Sequence, residues 1–110
     1  MADDRVIRGV VLSPTFCRGL KRLKDPVLQR QAREVLASLL LLNIDQPPAK
    51  LHLHQYTNKS VQSVLRADHK VSAWSIHVLP GDQYKASFTL EDGVAYMRVC
   101  DTHDLVDKAP

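Results

Sequence analysis

The residues of this chain best suited to chemistry are its histidines, because imidazole titrates near neutral pH and can act as base or as acid. Five are present, at positions 52, 54, 69, 77 and 103. Ala73 to Val106 reads as an antiparallel meander whose open face collects His77, Lys85, Arg98 and His103. Transesterification of RNA needs a base for the 2′-OH proton, a cation beside the phosphate and an acid for the 5′ leaving oxygen. Imidazoles with ammonium or guanidinium groups meet these needs without a metal. The face is therefore expected to use His77 as base or acid, Lys85 and Arg98 as phosphate contacts, and His103 as the complementary acid or base. Strict alternation, however, puts His103 on the side of Met97 and Val99, so it reaches the groove only if the strand ends or bulges near Asp101.

Each histidine also has a plainer reading. His77 suits a solvent-facing strand position, and His69 reads as a loop residue. His52-x-His54 sets two imidazoles on one strand face, which suits a metal only if His77 or an aspartate completes the set. Two ligands alone do not make a site, and neither metal nor cofactor is expected. Trp74, Phe88 and the leucines of the second helix belong to the core rather than to a base-stacking platform.

The elements that must position these groups follow from the pattern. Arg5 to Leu12 is rich in Val and Ile and predicts a strand, and Ser13-Pro14 gives an N-cap with proline at the first helical position. Phe16, Leu20 and Leu23 then share one helix face, while Arg18, Lys21, Arg22 and Lys24 form a basic back. That back is a solvated helix face that also suits RNA phosphates, with Lys21 and Arg22 as contacts. Asp25-Pro26 repeats the cap, and helical spacing runs to Asn43 before Gln46-Pro47-Pro48 ends it. The two helices are expected to form an antiparallel hairpin. Leu51 to Tyr56 suits a short edge strand, and a short helix at Ser60 to Leu65 fits the polar stretch from Thr57 to Lys70. From Val71 the period is two, and Asp92-Gly93 marks a hairpin turn. The expected fold is α+β, a two-layer sandwich in which an N-terminal strand and a helical hairpin pack on an antiparallel sheet of three to four strands. The polar face of that sheet is expected to stay open.

Composition is compatible with this reading. A chain of 110 residues, 45% hydrophobic and 25% charged, suits one domain over residues 1–110. The net charge of +3 favours an anionic partner. Cys17 and Cys100 have no CxxC spacing and fit neither a disulfide framework nor a zinc site. No stretch is long and apolar enough to span a bilayer, and Met1 to Arg5 lacks the character of a secretory signal, so a cytoplasmic protein is expected.

The run Gly81-Asp82-Gln83-Tyr84-Lys85, the hairpin at Asp92-Gly93 and the ending Arg98-Val99-Cys100-Asp101-Thr102-His103 resemble the RelE/ParE superfamily of toxin-antitoxin systems. Ser13-Pro14-Thr15-Phe16 through Lys21-Arg22-Leu23 looks like the family's first helix, and Lys50-Leu51-His52-Leu53 like its K-x-H-x-L segment. The branch it most resembles is the YafQ-like ribosome-dependent ribonucleases, because His52, His77 and His103 fall where those toxins place histidines. The resemblance implies a RelE-like fold, cleavage of mRNA on the ribosome, a cognate antitoxin and a possible toxin-antitoxin heterotetramer. By position it implies roles for His52 and Asp82 beside His77, Lys85 and His103, and an RNA contact from Lys50. The chain departs from the pattern in three places. Thr57 to Lys70 looks inserted, Leu105-Val106-Asp107 lacks the usual aromatic, and Gly81-Asp82 replaces an Asp-Trp pair. A ParE-like DNA gyrase inhibitor and a catalytically silent binding module of the same fold are the alternatives. An antitoxin segment is expected to cover the basic face by a helix or an added strand.

Overall fold

A computed structural model describes residues 6–79 and 84–110, with the backbone alone at Lys50. The elements are β1 (Gly9–Leu12), α1 (Pro14–Lys21), α2 (Pro26–Ser38), a 3-10 turn (Ala49–Leu51), β2 (His54–Gln62), β3 (Lys70–His77), β4 (Tyr84–Glu91), β5 (Val94–Thr102) and α3 (His103–Lys108). The strands form one mixed sheet of order β1-β5-β4-β3-β2. β1 runs parallel to β5, and every other pairing is antiparallel.

Both helix starts form by the chemistry expected. The Ser13 hydroxyl oxygen accepts the Phe16 N–H at 3.0 Å, and an Asp25 carboxylate oxygen accepts the Val27 N–H at 2.9 Å, each followed by proline. The apolar stripes of α1 and α2, with Phe16, Leu20, Ala32 and Leu36, bury against Ile76, Ala86, Phe88, Met97 and Cys100 from the sheet. α1 lies so close to β5 that a Cβ on Gly19 would stand 2.0 Å from the Cys100 carbonyl oxygen.

α2 stops at Ser38 and does not run to Asn43. Leu41 takes a left-handed φ of 66°, its N–H donates to the Ile7 carbonyl at 2.6 Å, and the Ile7 N–H donates to the Leu42 carbonyl at 2.9 Å. Pairing with the N-terminal segment thus competes with the last helical turn and wins, leaving Leu41 exposed. The polar stretch after Tyr56 holds no helix. It continues β2 to Gln62, with a register break between Gln55 and Ser60, and then turns at Ser63, whose hydroxyl oxygen accepts the N–H groups of Leu65 and Arg66. Thr57 and Val61 are β-branched, and pairing with β3 decides their conformation.

The hairpin at Asp92-Gly93 has both residues at positive φ, 53° and 79°, as a type I′ turn requires. Between β4 and β5 the register runs Ser87 to Val99 but Phe88 to Met97, so Arg98 is an extra residue, a β-bulge. Met97 and Cys100 both enter the core as a result.

The polar face of the sheet is closed, contrary to the expectation that it stays open. Ser75, Ser87 and Thr89 are fully buried and Lys85 is 3% exposed. The meander ends at Thr102, and α3 with Ala109 and Pro110 folds back over β4 and β5. Ser87 Oγ and Arg98 Nε both donate to the Pro110 main-chain oxygen, at 2.7 and 3.1 Å. At the other end of the face, Glu91 accepts from the Ser63 hydroxyl, the Val64 N–H and the Thr89 hydroxyl. Burial pushes its carboxyl up, but the hydrogen bonds from Ser63, Val64, Thr89 and the Leu65 backbone hold it below the ordinary value.

Gly19→Ala is expected to lower stability by about 1–3 kcal/mol through overpacking, although alanine favours a helix by roughly 1 kcal/mol. A urea midpoint unchanged or raised in the variant would contradict the α1–β5 approach described above.

Candidate active site

The site lies where β3 and β5 end. His77 is the last residue of β3, paired across to Lys85 on β4, which in turn pairs with Asp101 on β5. Because Arg98 is bulged, the parity of β5 changes at that point, and Val99 and Asp101 share the polar face with Ser87 and Lys85. His103 follows as the first residue of α3, after the N-cap Thr102. The break that His103 requires is therefore present, in the form of a bulge at Arg98 and a strand end at Thr102. The rings of His77 and His103 stand 6.1 Å apart at 79°.

His52 reaches the same place from the opposite direction. It caps the 3-10 turn in a left-handed conformation, φ 47°, while the preceding Leu51 is buried as an anchor. Its ring stacks on His77 with centroids 4.4 Å apart and planes 21° from parallel. His52 and His54 consequently do not share a strand face, since β2 begins only at His54. His54 lies beside Ser75, Nδ1 to Oγ 3.1 Å, and edge-on to Tyr56 at 4.8 Å. Among the described residues no group of three His, Cys, Asp or Glu side chains is placed to hold a metal.

Asp107, one helical turn after His103, gathers the rest. Its Oδ1 accepts from the Tyr56 hydroxyl at 2.5 Å and from Lys85 Nζ at 2.9 Å, and its Oδ2 lies 3.2 Å from His103 Nδ1. Burial pushes the Asp107 carboxyl up, but the bonds from Tyr56 and Lys85 and the charges of Lys85 and His103 bring it below the ordinary carboxylate value. The Tyr56 phenol moves the other way, to about 12, first through burial and then through its bond to Asp107. Tyr56 thus stays neutral and donating at physiological pH. Lys85 and Lys59 both approach its ring, at 5.8 and 5.7 Å from the centroid.

Of the residues expected from sequence, His52, His77, His103 and Lys85 converge. Lys85 is buried and bound to Asp107 and does not face solvent as a phosphate contact. Arg98 is turned to Pro110, whose main-chain oxygen accepts from its Nε. Lys21 and Arg22 are exposed on α1, and Arg22 Nη1 reaches Asp101 Oδ2 at 3.1 Å, so the basic end of α1 adjoins the histidine end of β5. Lys50 lies in the turn before His52, and Asp82 falls outside the described residues. From sequence Tyr56, like Tyr84 and Tyr96, is ambiguous between core and base-stacking roles, and neither a site role for Asp107 nor the Ser75–His54 pair is read there. For Asp107 a signal existed, because His103-x-x-x-Asp107 has the spacing of one helix face, but it is legible only if α3 is read as a helix.

No protein-family model matches the sequence, and no curated protein matches it. Among solved structures, a chain of the E. coli DinJ-YafQ toxin-antitoxin complex has the same fold, with a TM-score of 0.63 over 92% of this chain and 98% of that one. The fold is RelE-like. Sequence identity over the alignment is 16%, so the likeness to YafQ read from short motifs is met in the order and packing of elements. No helix among the described residues is long and apolar enough to cross a membrane.

An absorbance titration is expected to show Tyr56 ionising near pH 12, a step that Tyr56→Phe removes. Because its folded pKa is raised, Tyr56 contributes stability that is present below its ordinary value of 10.0 and is lost as pH rises toward 12. Asp107 and Glu91 are depressed, so their contribution is present above the usual carboxylate range and is lost as pH falls through the lowered values. Asp107→Asn should therefore flatten the acid limb of stability against pH. An unchanged limb would count against the network.

Proposed function

We propose that this protein is the toxin of a toxin-antitoxin pair and cuts mRNA on the ribosome by metal-independent transesterification. The observation that carries the reading is the convergence of His52, His77 and His103 at one end of a RelE-like sheet. One imidazole takes the 2′-OH proton and the freed oxygen attacks the phosphorus. The bond to the 5′ oxygen breaks, and a second imidazole returns a proton to that leaving group. The products are a 2′,3′-cyclic phosphate and a 5′-hydroxyl end.

His103 is half-buried and His52 exposed, and the rings of both lie against that of the buried His77. With Lys85 bound to Asp107 and Arg98 to the Pro110 main chain, exposed cations beside the histidine end of β5 include Lys21 and Arg22 at the end of α1, Arg22 through its pairing with Asp101. A cytoplasmic location and a cognate antitoxin belong to the same reading. The antitoxin is supported by the solved neighbour, which is a toxin-antitoxin complex.

A second reading, binding without cleavage, rests on the internal engagement of Lys85 and Arg98, the two cations expected to meet the scissile phosphate. Inhibition of DNA gyrase is the binding role that a supercoiling assay tests directly.

Purified protein added to programmed ribosomes is expected to cut the message, with His77→Ala and His103→Ala each slowing cleavage by roughly a hundredfold. Mapped message ends that remain intact with wild-type protein would overturn the ribonuclease reading.

A further inference from the structure

A histidine is a useful base only if the nitrogen facing substrate carries a lone pair, and which nitrogen does so is set by what the other one meets. His103 Nδ1 meets two carboxylates, Asp107 Oδ2 at 3.2 Å and Asp104 Oδ1 at 3.5 Å. A carboxylate can only accept, so both favour the proton on Nδ1. The two are not equivalent. Asp104 is 95% exposed and free to swing in solvent, whereas Asp107 is fixed by the Tyr56 hydroxyl and the buried ammonium of Lys85 on its other oxygen.

We propose that Asp107 is a positioning residue for the cleavage reaction: held by Tyr56 and Lys85, it fixes His103 as the Nδ1–H tautomer and leaves Nε2 free to take the 2′-OH proton. This rests on the ribonuclease reading for its consequence but not for its geometry. It gives Lys85 a task other than binding phosphate. The ammonium compensates the Asp107 charge inside the fold and aims one carboxylate oxygen at His103. It also gives Tyr56 a role, as the donor that holds Asp107. The logic is that of any base oriented by a carboxylate behind it, here assembled from three elements, β2, β4 and α3.

The arrangement makes the outcome of one substitution specific. In Asp107→Asn the side-chain carbonyl must stay where Oδ1 was, because two donors, Tyr56 and Lys85, point at that place. The amide NH2 then faces His103 Nδ1 and donates to it, so the ring proton moves to Nε2 and the lone pair is lost.

The test reads the ring nitrogens of His103 by NMR on the free protein at mildly alkaline pH, and in parallel the cleavage of ribosome-bound message. Wild type is expected to show Nδ1–H, and Asp107→Asn is expected to show Nε2–H with kcat lowered by roughly a hundredfold and KM little changed. Asp104→Asn should keep the wild-type tautomer and rate. A wild-type Nε2–H tautomer would overturn the proposal without any variant being made, as would an Asp107→Asn protein that keeps Nδ1–H or cuts at the wild-type rate. If the tautomers behave as expected and wild type cuts no message, the geometry of Asp107 stands and the ribonuclease reading fails.

Discussion

A single extra residue in β5 decides which side of the sheet the end of the chain serves. With Arg98 accommodated as a bulge, Met97 and Cys100, three apart, both face the helices, and everything after them changes side relative to a regular strand. Val99 and Asp101 join the polar face, the strand ends at Thr102, and His103 enters α3 beside His77. Without that shift α3 would start from the opposite side of the sheet, and neither Asp107 nor Pro110 would reach its partners. Cys100, carried inward, has its thiol pushed up to about 12, first by burial and then by the neighbouring Asp101. It serves as packing and not as a nucleophile.

The sheet therefore has two covered faces of opposite character. The helix side is a conventional apolar core, in which Phe16, Leu36, Phe88 and Met97 exclude water. The other side is a layer of Ser75, Lys85, Ser87, Thr89 and Glu91, groups that are costly to bury unless paired. The pairing is close to complete. Among the described residues, Gln31 Oε1 alone is a buried side-chain polar atom without a partner. Such a layer contributes less net free energy than an apolar one, because every bond replaces one to water. It does constrain geometry tightly, since a misplaced partner leaves a charge or hydroxyl unsatisfied.

Much of the fold was legible in local signals. Two caps with proline, the helical stripes, the Asp92-Gly93 turn and the alternation of β3 and β4 each follow from short-range chemistry, and each is present. Two departures arise where long-range pairing overrides a local pattern. The end of α2 yields to the pairing of Ile7 with Leu42, and β2 extends through a polar stretch because β3 lies beside it. The closure by α3 could not be read from alternation, because the sequence counts residues and the bulge at Arg98 removes one from the count. The same fact explains the site. Parity alone brings His77 and Lys85 together, His103 needs a break in the strand, and the meeting of Asp107 with Tyr56 depends on α3, a helix that alternation does not announce.

α3 is a six-residue helix that buries Val106, and its attachments include the bonds of Asp107 to Lys85 and Tyr56 and the contact of the His103 ring with His77. A helix of that length has almost no stability of its own. β4, by contrast, is held between two strands over a packed core. The position of α3 thus depends on the sheet it covers, through the buried Val106 and the polar contacts of Asp107. His103 and Asp107 therefore owe their placement to the sheet beneath them, and the cover of the polar layer and the floor of the site are the same short helix.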